Sequence, residues 1–66
     1  MTFEFIFEAA GGGTQRSVRV ACHSLDSARR RAKAMLAVRP GDARVLIREP
    51  EGLIGQFTRA DLGRAA

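Results

Sequence analysis

"TFEFIFEA", Thr2–Ala9, alternates without a break: Phe3, Phe5 and Phe7 fall on one side of an extended chain, and Glu4, Ile6 and Glu8 on the other. Period two with aromatics predicts a half-buried strand. The phenylalanines then floor the core and the carboxylates face water. Downstream, "AAGGGTQ" carries three consecutive glycines, each of which loses more backbone freedom on ordering than any other residue. That stretch reads as a loose hairpin loop. "RSVRVAC", Arg16–Cys22, alternates again, with Val18, Val20 and Cys22 inward and Ser17, Arg19 and Ala21 outward. The two strands make an antiparallel hairpin.

Beyond it the period changes. "SLDSARRRAKAMLAV" opens on Ser24, a good N-cap, and Asp26 falls in the first turn, where the helix dipole favours a negative charge. Leu25, Ala28, Ala32, Met35 and Leu36 share one stripe at helical spacing. Ala28 and Ala32 are small, so the helix can lie close to the sheet. It must end before "RPGD", because the residue preceding a proline is pushed away from helical geometry and Gly41-Asp42 completes a turn. "ARVLIRE" is a third strand, with Val45 and Ile47 inward and Arg44, Leu46 and Arg48 outward. After a "PEG" turn, "LIGQFTR" is a fourth, interrupted by Gly55. Its pattern leaves the facing open: either Leu53 and Phe57 point inward or Ile54 does, and the size of the ring favours Phe57. "ADLGRAA" reads as a tail, which gives one domain over residues 1–62 and frayed ends over 63–66.

The elements assemble as an α+β two-layer sandwich, β-β-α-β-β, with one helix on one face of a four-stranded antiparallel sheet. A right-handed crossover gives strand order 2-1-3-4 and puts the phenylalanine strand in the middle. The alternating hairpin, the "SLDSA" helix start, the alanine-rich helix, the "EG" turn and the closing strand together resemble small bacterial β-β-α-β-β domains without established activity. That resemblance implies the fold alone and carries no catalytic residue or cofactor.

Bulk properties narrow the function. A 66-residue chain buries only about 60% of its unfolded surface, so few residues are free to line a cleft. Cys22 is the only cysteine, which rules out an intrachain disulfide scaffold. No basic-apolar-small leader opens the sequence and no apolar run approaches the ~20 residues of a membrane helix, so a cytoplasmic protein is the expectation. The formal charge of +4 rests on ten arginines and one lysine against seven acids. Such an excess attracts nucleic acid mildly, and a GC-rich genome would also produce the arginine bias.

Four stretches carry polar chemistry. On a helical wheel with Leu25 at zero, Arg29, Lys33, Arg30 and Arg31 lie at about 40°, 80°, 140° and 240°, a diffuse field rather than one base-reading edge. Asp26 stands one turn before Arg30 and Arg29, at a spacing that allows pairing and would quench part of it. The sheet face away from the helix should expose Ile6, Arg19, Arg44, Leu46 and Arg48 beside Glu4 and Glu8. Single-stranded RNA is bound by open sheets that offer aromatic stacking platforms; this face has none, and it suits self-association better. Cys22 and His23, neighbours on an extended chain, point to opposite faces and form no catalytic pair. With no second cysteine or histidine they hold no zinc. "GGGTQR" joins two strands, so it lacks the helix dipole that a phosphate-binding loop uses.

The expectation is therefore a non-enzymatic protein-interaction or accessory module with no cofactor, no metal and no small-molecule substrate. It should self-associate through Ile6, Arg19, Arg44, Leu46 and Arg48 or through an edge strand. The alternative is a nucleic-acid-binding domain of little sequence preference, contacting phosphates through Arg29, Arg30, Arg31 and Lys33.

Overall fold

The computed structural model describes residues 1–12 and 15–63. The elements run β1 (Thr2–Ala9), a 3₁₀ turn (Ala10–Gly12), β2 (Gln15–Ala21), α1 (Leu25–Ala37), β3 (Asp42–Glu49), β4 (Gly52–Thr58) and a short α2 (Arg59–Gly63). The strands form one antiparallel sheet in the order β2-β1-β3-β4, and α1 covers one face: the expected α+β sandwich. The result is a plate of 29 × 29 × 16 Å.

The alternation of β1 does what its pattern demands. Phe3, Phe5 and Phe7 are at most 1% exposed, and with Val20, Val45, Ile47, Ala28, Ala32 and Leu36 they make the core. Burying each ring contributes about 1.5–3 kcal/mol. Because Ala28 and Ala32 are themselves fully buried, the α1 backbone comes down onto the sheet with the rings beneath it. Ser24 is the N-cap: its extended backbone lets Oγ accept from the Ser27 amide at 3.2 Å. The β1–β2 connection passes through Gly11 and Gly12 at φ +85° and +73°, left-handed geometry that any side chain would strain. The rest of that predicted loop, Gly13 and Thr14, lies outside the described residues, as do residues 64–66 of the predicted tail.

Three features depart from the sequence expectation. First, the two alternatives for β4 are both partly right. Phe57 stands opposite Val45 and Gly55 opposite Ile47, but the register then shifts, so that Arg48 faces Leu53. Ile54 is the extra residue of a bulge. It packs against the core together with Phe57, while Leu53 is turned out and 60% exposed. One inserted residue resets the alternation, and a period-two reading cannot see that.

Second, the chain after β4 is not simply a tail: Arg59–Gly63 turns into α2. Its start is fixed by Asp61, whose carboxylate accepts from the Thr58 amide at 2.7 Å and from the Thr58 hydroxyl at 3.2 Å, the reach-back half of a capping box. Arg59 then extends across the end of α1. Its guanidinium donates to the backbone carbonyls of Leu36 (3.1 Å), Asp42 (2.9 Å) and Arg39.

Third, Glu8 does not face water. It lies on the outer side of the sheet as expected, yet it is only 7% exposed. Gln15 of β2 and Arg44 of β3 are its register partners, and their side chains donate to its two carboxylate oxygens. A carboxylate is tolerated under such cover only because it is paired and hydrogen-bonded.

Candidate interaction face

The pairing registers turn the outer side of the sheet into a small lattice. One row across the strands reads Arg19–Glu4–Arg48–Leu53, the next Ser17–Ile6–Leu46–Gln56, and the third Gln15–Glu8–Arg44–Thr58. All five residues expected on this face are on it and are brought together. Ile6 and Leu46 are register partners at its centre and half-buried; Arg19, Arg44 and Arg48 are exposed around them. Opposite residues in such a ladder have Cβ atoms about 4.5–5.5 Å apart, so each is in reach of its neighbour.

Sequence reasoning missed the β4 contribution to this face. Leu53, one of the largest exposed apolar side chains, reaches it only through the bulge in β4. Gln56 follows it onto the same side. Glu4, expected on this face among the arginines, is flanked by Arg19 and Arg48 on its two neighbouring strands. That signal was present in the sequence but needs the register to be read. A shallow depression opens beside this row, between Arg19, Glu4, Arg48 and the Glu49–Pro50 corner.

The cations of α1 divide. Arg29, Arg30 and Lys33 line a groove with Gly55, Gln56 and Phe57 of β4, and Lys33 Nζ stands 4.7 Å above the Phe57 ring centre. Arg31 points to the other flank, where it borders Met1, Ala21, Cys22, His23 and Ser27. The wheel angles spread the four around most of the solvent side; the structure joins the three that lie within about 100° of each other and separates Arg31. Elsewhere Arg39 stacks 4.3 Å from the centre of the Phe7 ring, with its guanidinium 3.8 Å from Asp42, so it belongs to the packing at the end of α1.

Cys22 is half-buried against the core, its amide bonded to the Met1 carbonyl at 2.9 Å, and His23 is exposed. Among the described residues no three histidine, cysteine or acidic side chains gather as a metal cluster. Among the described residues no helix is long and apolar enough to cross a membrane. No family model matches the sequence, and no curated protein and no solved structure matches it. Residue roles therefore rest on geometry alone.

Proposed function

We propose that this protein is a small cytoplasmic interaction module, non-enzymatic, that self-associates through the open face of its sheet. The observation that carries the reading is the self-complementarity of the lattice. Consider a two-fold axis in the contact plane, parallel to the strands and midway between β1 and β3. It keeps the rows and exchanges those two strands. Glu4 then meets Arg48 of the second copy, Ile6 meets its Leu46, and Glu8 meets its Arg44. Every row matches itself. The other in-plane axis, across the strands, would oppose Glu4 to Glu8 and Arg48 to Arg44, four like-charge contacts per pair of molecules. Charge selects the first axis, and a two-fold contact is the commonest form of homo-oligomer.

The plate form supports this. Two copies joined outer face to outer face would give a helix–sheet–sheet–helix stack, with the sheets about 10 Å apart. An interface on so small a domain falls near the low end of specific interfaces, about 1,000–1,200 Å² in total. The dimer should accordingly be concentration-dependent.

The test is mass by light scattering over a dilution series. Wild type should shift from monomer to dimer with concentration, and Leu46→Glu should stay a folded monomer throughout. Glu4→Arg should weaken the dimer, and Glu4→Arg combined with Arg48→Glu should restore it, because the swap preserves every facing pair. A dimer that ignores all three changes would remove the face from consideration. A wild type that is monomeric at millimolar concentration would remove self-association.

A further inference from the structure

A second surface lies at the β4 edge between the helix layer and the sheet, and shares only Gln56 with the outer face. Arg29, Arg30 and Lys33 form one wall of its groove, and Gly55, Gln56 and Phe57 form the other; no acid is among them. β4 is an edge strand, bonded to β3 on one side only, so the backbone N–H and C=O groups of its far edge open beside this groove. Such an edge is a template for another strand. The two walls are also of one length. Arg29 to Lys33 rises about 6 Å at 1.5 Å per residue, and Gly55 to Phe57 spans about 6.7 Å at 3.3–3.4 Å per residue. That is one side-chain repeat of an extended chain.

We propose that this groove takes an extended acidic peptide segment of a partner protein, added to β4 as a fifth strand. Alternate side chains of that segment face the helix layer, and there carboxylates at positions i and i+2 meet Arg29, Arg30 and Lys33. The residue between them falls on the other side of the sheet, next to Gln56 and Leu53. Recognition is thus of an acid–any–acid pattern: main-chain hydrogen bonds supply affinity and the three cations supply the choice of sequence. The bulge at Ile54 and the capping of the Thr58 amide by Asp61 limit the free regular edge to Gly55–Phe57, so the contact spans about three residues and is weak. A peptide fits better than a nucleic-acid strand on two counts. A phosphate chain cannot continue a β-ladder, and the one ring at the site is already covered by Lys33 and is not free to stack a base.

The experiment is an amide-resolved NMR titration of the full chain at near-physiological salt. The probes are a ten-residue peptide of alternating Glu and Thr, a block peptide of the same composition with five Glu followed by five Thr, and a ten-nucleotide thymidine strand. The alternating peptide should shift Gly55, Gln56 and Phe57 and bind at least tenfold more tightly than the block peptide. Methylating its ladder-facing amides should abolish binding, and Arg29→Glu/Arg30→Glu, both at exposed positions, should weaken it at least tenfold. Equal affinity for the two peptides, or shifts confined to α1, would overturn strand addition. Tighter binding of the thymidine strand would overturn the peptide in favour of a phosphate surface. Whether the outer sheet face dimerises is read separately, by the mass measurement.

Discussion

Replacing Arg59 with alanine removes the guanidinium that ties the end of α1 to the start of β3. Three carbonyls lose a donor: Leu36 and Arg39 at the end of α1, and Asp42 at the head of β3. A charge-assisted hydrogen bond contributes about 1.5–3 kcal/mol when shielded. Arg59 is exposed and its acceptors can rehydrate, so about 0.5 kcal/mol each is the appropriate discount. Loss of a cation from a helix C-terminus costs about 0.3–1 kcal/mol more. The expected total is about 2 kcal/mol, against about 3–10 kcal/mol for a whole domain of this size. With an unfolding entropy of about 2.1 cal/mol/K per residue, the midpoint should fall by about 10–15 °C. Thermal melts followed by far-UV circular dichroism measure this directly. Arg59→Lys keeps the charge without the fork and should recover less than half of the loss. A melting temperature within about 2 °C of wild type for Arg59→Ala would refute the reasoning, since even the discounted bonds predict several times that shift.

Two further changes test the sheet. Gly55→Ala should stabilise by about 0.4–1 kcal/mol by restricting the unfolded chain: a Cβ there meets only Ile47 Cδ1, at an ordinary 3.9 Å. A lowered melting temperature would contradict that account of β4. Glu8→Ala removes the common acceptor of Arg44 and Gln15. It should cost about 1–2 kcal/mol in urea denaturation, limited by the freedom of the half-exposed Arg44 to rehydrate. An unchanged denaturation midpoint would make the carboxylate's cover incidental.

The parts of this fold that were legible in the sequence are those whose reason is local. Phe3, Phe5 and Phe7 alternate, Ser24 and Asp26 mark a helix start, and Pro40-Gly41 enforces a break; each follows from neighbours within a few positions. The strand order followed as well, because few arrangements join two hairpins through one crossover helix. What escaped depends on partners far along the chain. The burial of Glu8 needs Gln15 and Arg44 to arrive from two different strands. The bulge at Ile54 erases the very period by which β4 would be read. α2 is too short to have a period at all, although Thr58 and Asp61 at capping-box spacing were a usable cue. Likewise the wheel angles of Arg29, Arg30 and Lys33 were correct, but an angle does not say that an edge strand stands opposite three cations and not the fourth.

The concentration of aromatic side chains in β1 has a consequence for folding. Within this stretch of chain, the three rings precede everything that covers them: α1 ends at Ala37 and β3 at Glu49. The β1–β2 hairpin alone has no helix over its rings and no third strand on its far edge, and two-stranded units of that kind are marginal in water. The β1–β2 hairpin is therefore not a folding unit by itself. Closure is a late, cooperative event that waits for β3, the strand that pairs β1 across about forty residues of sequence. A chain truncated before β3 is left with an aromatic strand and an open edge, the combination most prone to aggregation.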